Sequence, residues 1–365
     1  MHWLVIGVLC LGLALGLFLG ARLRRRREEA RAYLKGVRSM ISGDPDAAIE
    51  ALSDAARLGS PEAVETYLAL GALFRRTGDL ARAVRLHRNM LLRPGLDPGR
   101  RAEVERELAD DYRRSGMLRE AAEVYRPLAS RGDLAAAEGL RDVLVEQGDL
   151  EGAVAVQRGL GGEGEDRVRA HLLAALCRAE LARDAERARR AAVEAVAAAP
   201  ACGDALLALA EAEAARGARE ASLRAVGQAL SAEPEAAFLA WLALERLAEP
   251  AAALGAVEEA LRAAPERAAL HLLRGRLLQA QGQGAEAFES LRHALDLDGS
   301  GEVTLAMREL LRDAGPPRPA DLAARHDLMV AALLRHARPL RCRRCGAGAA
   351  QRAWRCPRCG AFDSY

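Results

Sequence analysis

Two hydrophobic patterns divide the chain. From Trp3 to Ala21 the sequence runs for 19 residues without a charge, close to the length of a helix that crosses the hydrocarbon core of a bilayer. From Ala30 onward, apolar positions recur with the spacing of short amphipathic helices, and glycines separate the helices. The pattern predicts an all-α protein with a transmembrane helix over 1–21 and paired helices after it.

The glycine turns recur at a nearly constant period. They stand 35, 38 and 32 residues apart, at Gly43, Gly78, Gly116 and Gly148. Further intervals of 34 and 31 residues separate Pro200, Pro234 and Pro265. A helix on each side of a turn, with a period near 34, is typical of the tetratricopeptide repeat. We therefore predict eight or nine repeats over 30–313, stacked into a right-handed solenoid whose groove binds peptides or proteins.

One repeat shows how the helix pairs should pack. Gly71 and Ala83 are small where the two helices approach closely, and Phe74 with Leu86 fills the remaining gap. The glycine-rich stretch 159–164 follows no predicted strand, so we expect an inter-repeat loop there and not a phosphate-binding loop.

The carboxy-terminal part changes character. Prolines end the repeats, and 314–339 is predicted to hold a linker and a final helix, Ala320–Arg338. The segment 340–365 then carries two Cys-x-x-Cys motifs, with the four cysteines at Cys342, Cys345, Cys356 and Cys359. Two such motifs bring four thiolates to the corners of a tetrahedron, so we predict one bound metal ion, iron or zinc.

This small domain has few side chains that could form a core of its own. Only Trp354 and Phe362 are available to form a core, so the metal should supply the folding energy. The remaining cysteines fit no ligand pattern and are expected to act as small hydrophobic side chains, at Cys10, Cys177 and Cys202.

Charge distribution predicts the topology. Five arginines follow the apolar segment within the basic juxtamembrane stretch 22–29, and no formal positive side-chain charge precedes it. A cleaved signal peptide has the opposite arrangement. By the positive-inside rule, the short amino terminus faces away from the cytoplasm and the rest of the chain faces the cytoplasm.

Composition narrows the classes of function. The chain has 53 basic and 51 acidic side chains, which argues against a general nucleic-acid binder. Lys35 is the only lysine, which excludes the phosphate-binding loop of ATPases and Schiff-base chemistry. No catalytic residue is predicted, because the histidines are scattered over helices as surface or half-buried polar groups, at His87, His171, His271, His293, His326 and His336.

A stripe of small residues lies within the apolar segment. Gly12, Gly16 and Gly20 recur every four residues and share one helix face. Such a face lets two membrane helices pack closely, although glycine is also simply common in membrane helices. The stripe predicts contact with a partner's membrane helix or with a second copy of the chain.

The combination of features resembles the lipopolysaccharide assembly protein B family of Gram-negative bacteria. The shared features are a membrane helix, tetratricopeptide repeats and a rubredoxin-like tail, with local matches at Tyr33–Gly36, Leu68–Arg76 and Trp354–Pro357. The resemblance implies a non-enzymatic adaptor of the inner membrane, which presents the lipid A pathway deacetylase to a membrane AAA+ protease. It also implies assembly of other lipopolysaccharide-synthesis proteins. The alternative is a membrane-tethered electron-transfer protein, since rubredoxin-like iron is redox-active.

Overall fold

The computed structural model describes most of the chain, in ranges separated by short gaps. They are 2–42, 44–58, 64–92, 96–161, 164–244, 250–298, 301–313, 330, 340–349 and 354–362. The chain divides into two units, Met1–Asp149 and Leu150–Tyr365. The predicted final helix, Ala320–Arg338, falls outside the described residues except at position 330.

The first unit consists of consecutive antiparallel helices. They are α1 His2–Ile41, α2 Pro45–Leu58, α3 Val64–Thr77, α4 Leu80–Leu91, α5 Pro98–Arg114, α6 Leu118–Ser130 and α7 Leu134–Gln147. Each helix packs on the next, and α3, α5 and α7 also contact one another in sequence. The even-numbered helices α4 and α6 therefore lie on one side of a row formed by α3, α5 and α7.

The amino-terminal helix contains the predicted membrane segment. The backbone of α1 is helical from His2, whereas its side chains are described only from Gly16 onward. Leu17, Phe18 and Leu23 are well exposed on that helix. In the described part of the chain, no helix is long and apolar enough to cross a membrane.

Aspartates begin several of the repeat helices. The Asp79 carboxylate accepts a hydrogen bond from the Arg82 backbone N–H, and Asp97 accepts from the backbone of Gly99 and Arg100. Such caps stabilise the helix because they satisfy donors that have no partner inside it. Gly78 precedes the first of these caps with φ of +86°, a backbone conformation that favours glycine.

Packing of α3 against α4 follows the sequence prediction closely. Phe74 and Ala83 are buried in one apolar cluster, and Leu86 packs against it. Gly71 makes the closest approach: a Cβ atom there would lie 2.3 Å from His87 Nε2. The space that glycine leaves free is thus filled by a histidine ring from the neighbouring helix.

The second unit continues the helical pattern and ends in a small β-module. Its helices are α8 Leu150–Arg158, α9 Glu165–Glu180, α10 Ala185–Ala198, α11 Gly203–Ala215, α12 Arg219–Ala232, α13 Ala237–Leu244, α14 Leu254–Ala263, α15 Ala268–Ala280, α16 Gly284–Leu297 and α17 Gly301–Asp313. Two short 3-10 helices, Pro234–Ala236 and Pro250–Ala253, interrupt the array. The predicted loop at 159–164 lies between α8 and α9, and its positions 162–163 are outside the described residues.

Alanine forms much of the contact between α9, α10 and α11. The buried side chains there are Ala174, Cys177, Ala188, Ala191, Ala192, Ala208 and Ala212. Small side chains let helix backbones approach closely while keeping the interface filled. Cys177 is fully buried among them, as expected for a small hydrophobic side chain.

Candidate metal centre

Two short hairpins build the cysteine module. The strands β1 Leu340–Arg341 and β2 Gly348–Ala349 pair antiparallel, with Arg341 opposite Gly348. The second hairpin repeats this arrangement through an antiparallel bridge between Arg355 and Phe362. Each hairpin therefore encloses one Cys-x-x-Cys motif at its turn.

The two cysteine turns have nearly the same backbone geometry. The Gly346 N–H donates to the Cys342 carbonyl at 2.8 Å, and the Gly360 N–H donates to the Cys356 carbonyl at 2.9 Å. Both glycines are in the left-handed region, with φ of +70° and +72°. A Cβ would strain the chain there, so glycine after the second cysteine sets the turn that positions each pair of thiols.

The four thiols converge on one point. Cys342 Sγ lies 3.6 Å from Cys359 Sγ, Cys345 Sγ lies 3.9 Å from Cys356 Sγ, and all four sulfurs lie within 4.8 Å of one another. A tetrahedral site with metal–sulfur bonds of about 2.3 Å requires sulfur–sulfur separations of about 3.8 Å. The cluster therefore has the dimensions of a tetrathiolate metal site, and its four sulfurs suit iron and zinc alike.

Without a metal, the surroundings of the thiols favour their protonated form. Burial raises the pKa of the Cys359 thiol to about 12, and hydrogen bonds from the other three cysteines add to the rise. A thiolate is the form that binds metal, so metal must displace protons from this cluster on binding. Filling all four tetrahedral positions with protein sulfur leaves no open position, which is typical of structural and not catalytic sites.

The aromatic side chains of the module contact the repeats. The interpretation of Trp354 and Phe362 as the module's own core is wrong: the buried core of the module consists of Cys342, Cys356 and Ala347. The His171 ring of α9 lies 5.3 Å from the ring centroid of Trp354 and 5.3 Å from that of Phe362, nearly parallel to the latter. Trp354 also packs against the apolar core of the second unit. The two aromatic residues thus attach the module to α9.

A buried polar cluster holds His171 in place. His171 Nδ1 lies 2.7 Å from Asp204 Oδ2 of α11, and Arg178 Nη1 lies 2.7 Å from Asp204 Oδ1. Burial alone would lower the pKa of Arg178, but the charges of Asp204 and Glu211 outweigh it and raise that pKa. The expectation of a surface or half-buried His171 is therefore wrong, since the side chain is 2% exposed and joins two repeat helices.

The first unit contains a similar cluster. His87 Nδ1 lies 2.6 Å from Asp111 Oδ2, and Arg75 Nη1 lies 2.8 Å from Asp111 Oδ1. Both His87 and Asp111 are fully buried, which also corrects the expectation for His87. In both units, one aspartate carboxylate lies within ion-pair distance of a histidine and of an arginine from packed repeat helices. The recurrence indicates that these clusters stabilise helix stacking.

Comparison with known proteins finds similarities to both the repeats and the tail. The rubredoxin metal binding domain matches residues 341–364, and the tetratricopeptide repeat matches residues 41–97 and 239–302. Lipopolysaccharide assembly protein B of Escherichia coli (strain K12) is 25% identical over 172 residues, and the same protein of Escherichia coli O157:H7 matches equally. Each alignment covers 45% of this chain and 44% of the relative.

Solved structures give weaker similarities. BtubC from P. vanneervenii is 20% identical, with a TM-score of 0.35, over 57% of this chain and 91% of that one. A score of this size says nothing about function. The sequence matches, together with the repeat helices and the four-cysteine tail, confirm the predicted resemblance to the lipopolysaccharide assembly protein B family; the chain spans less than half the length of the curated relatives that it matches.

Proposed function

We propose that the chain is an inner-membrane adaptor that controls the amount of lipopolysaccharide. It does so by promoting proteolysis of the lipid A pathway deacetylase by a membrane AAA+ protease, and it gathers other lipopolysaccharide-synthesis proteins. The observation that carries the proposal is the match to lipopolysaccharide assembly protein B, together with the rubredoxin-type tail. The chain itself catalyses no reaction in this proposal.

The repeats supply a charged surface for protein partners. Arg75 of α3 forms an ion pair with Glu107 of α5, and Arg113 of α5 forms one with Glu146 of α7 at 2.7 Å. These ion pairs hold neighbouring helices of the row in fixed positions, so the row presents a preformed surface. Preformed surfaces lose less conformational entropy on binding, which favours recognition of protein segments.

The four cysteines are proposed to hold one iron or zinc ion. All four sulfurs would be ligands. The two closest sulfur pairs, Cys342 with Cys359 and Cys345 with Cys356, each join one hairpin to the other. The ion supplies a structural cross-link between the two hairpins. The module, fixed by the ion, then presents Trp354 and Phe362 to the repeats.

Loss of the chain should lengthen the lifetime of the deacetylase. In cells that lack the chain, we expect the deacetylase to persist after protein synthesis is stopped, because presentation to the protease is lost. Immunoblotting after translation arrest measures the half-life, and expression of the full-length chain should restore rapid turnover. An unchanged half-life in cells lacking the chain would contradict the proposal.

The membrane topology is part of the proposal. We propose that 1–21 crosses the inner membrane once, that 22–29 lies at its cytoplasmic surface, and that the repeats over 30–313, the linker and final helix over 314–339 and the tail over 340–365 are cytoplasmic. A reporter active only in the periplasm, fused after Tyr365, should be inactive. A reporter active in the cytoplasm should work at the same position, and the reverse result would mean that the arginines do not set the orientation.

The glycine stripe is proposed to contact a partner's membrane helix or a second copy of the chain. Apart from the adjacent residues and the backbone of α1 itself, no described atom lies within 4 Å of the position of a Cβ at Gly16 or Gly20, while the side-chain surroundings of Gly12 are outside the described residues. Gly16→Ile should therefore leave the chain folded but reduce recovery of membrane partners from detergent extracts. Leu17→Ile is the matched control. Equal partner recovery with Gly16→Ile would exclude a role for the stripe.

A further inference from the structure

A cavity lies between α4, α5 and α6 of the first unit. Its volume is about 410 Å³, within the range of ligand-binding clefts. Apolar side chains, including Leu108 and Val124, line part of it. The polar side chains that line it are Arg85, Arg88, Asn89 and Tyr112. The cavity lies toward α4 and α6, away from the ion pairs that join α3, α5 and α7.

The arginines of this cavity differ from those of the neighbouring row. Arg75 and Arg113 are each bonded to two carboxylates. In contrast, Arg85 and Arg88 form no ion pair or hydrogen bond within the described part of the chain. No acidic side chain lines the cavity, and the nearby Asp79 is bonded to Arg82.

This arrangement indicates the charge of a ligand. Arg85 and Arg88 are three residues apart on α4, so their side chains project from the same face of the helix. Guanidinium groups bind carboxylate or phosphate through paired hydrogen bonds. Asp79 interacts with Arg85 only through longer-range electrostatics, so a ligand that supplies an anion there would form the direct ion pair that both arginines lack in the described part of the chain.

The ligand must also carry an apolar group. Leu92 lines the cavity and is 81% exposed, although it is a large hydrophobic side chain. Together with the apolar lining at Leu108 and Val124, Leu92 forms an apolar surface whose burial under a ligand is energetically favourable. An inorganic anion would leave this surface in water.

We infer that the cavity binds an acidic peptide segment of a partner protein. A carboxylate of the segment lies between Arg85 and Arg88, and an adjacent bulky apolar side chain packs against Leu92 and Leu108. Asn89 favours a peptide over a lipid phosphate: its amide both donates and accepts, which matches a peptide backbone, whereas a phosphate diester only accepts. The site is independent of the metal module and of the membrane helix.

Selection from random short peptides, displayed on phage, tests the inference with full-length protein in a neutral detergent. Peptides that bind should be enriched in sequences with an acidic residue next to a bulky apolar one. Arg88→Glu should weaken their binding by about tenfold or more, because a charge-assisted hydrogen bond is replaced by repulsion. Arg114→Glu, an exposed arginine of α5 that does not line the cavity, is the matched control and should bind normally.

Two results would overturn the inference. One is a peptide result: the selected peptides show no preference for an acidic residue next to a bulky apolar one, or they bind Arg88→Glu as tightly as the unmodified chain. The other is binding of phosphatidylglycerol vesicles that depends on Arg85 and Arg88 while no peptide binds, which would assign the cavity to a lipid headgroup. Thermal unfolding of Arg88→Glu checks that the variant is folded. Neither overturning result would affect the turnover of the deacetylase, so the adaptor proposal is tested separately.

Discussion

Cys356→Ser should lose its metal and unfold the tail while the repeat helices remain folded. Cys356 is a buried member of the thiol cluster, and its sulfur lies 3.9 Å from Cys345 Sγ. Without the metal, few buried side chains hold the module together, so it depends on metal binding for its folding energy. We expect elemental analysis to fall from one ion per chain to nearly none, and circular dichroism to retain most of the helical signal.

A second cysteine supplies the control. Cys202 is buried at the N-cap position of α11, outside the thiol cluster. Serine is a favourable N-cap residue, so Cys202→Ser should fold and should retain its metal. If Cys356→Ser retains as much metal as Cys202→Ser, the assignment of the four ligands is wrong.

Asp204→Ala should strongly destabilise the second unit. The substitution leaves His171 without its carboxylate partner and removes one of the two acidic partners of Arg178. Removal of one member of a buried charged cluster costs about 3 kcal/mol or more, because the remaining charge stays desolvated. Hydrogen exchange should accelerate in α9 and α11, and also at Trp354, whose ring packs on His171.

Substitutions of two other aspartates serve as controls for the loss of stability in Asp204→Ala. Asp184→Ala removes only an N-cap hydrogen bond of α10 and should cost about 1 kcal/mol. Asp111→Ala should destabilise the corresponding cluster of the first unit and leave exchange in α9 and α11 unchanged. If Asp204→Ala is no more destabilising than Asp184→Ala, the buried cluster does not hold α9 and α11 together.

Local patterns predicted the turns and the thiol cluster, because the residues that determine them are close in sequence. Gly78 and Gly148 adopt positive φ at repeat turns, as the spacing of the glycines indicates. Each Cys-x-x-Cys motif lies within a single hairpin, so the glycine after its second cysteine is enough to indicate a turn with positive φ. Likewise, Phe74 is buried where one repeat pattern places it.

Contacts between distant segments could not be predicted in the same way. His171 is 33 residues from Asp204, and its ring stacks on Phe362 from the end of the chain. A single histidine on a helix gives no local signal of such partners. The sequence likewise places Trp354 in the core of the module, because the repeat surface that it contacts is remote in sequence. The recurrence of a histidine and an arginine around one aspartate in both units becomes visible only when the helices are packed.

In the proposed function, the chain presents the deacetylase to the membrane protease. The most direct test reconstitutes the full-length metal-loaded chain with the AAA+ protease in liposomes and measures degradation of the purified deacetylase. We expect degradation to accelerate when the chain is present in the same membrane, since confinement of the two partners raises their effective concentration. Equal rates of degradation with and without the chain, by a protease that degrades an unrelated substrate normally, would show that the chain does not act as the adaptor.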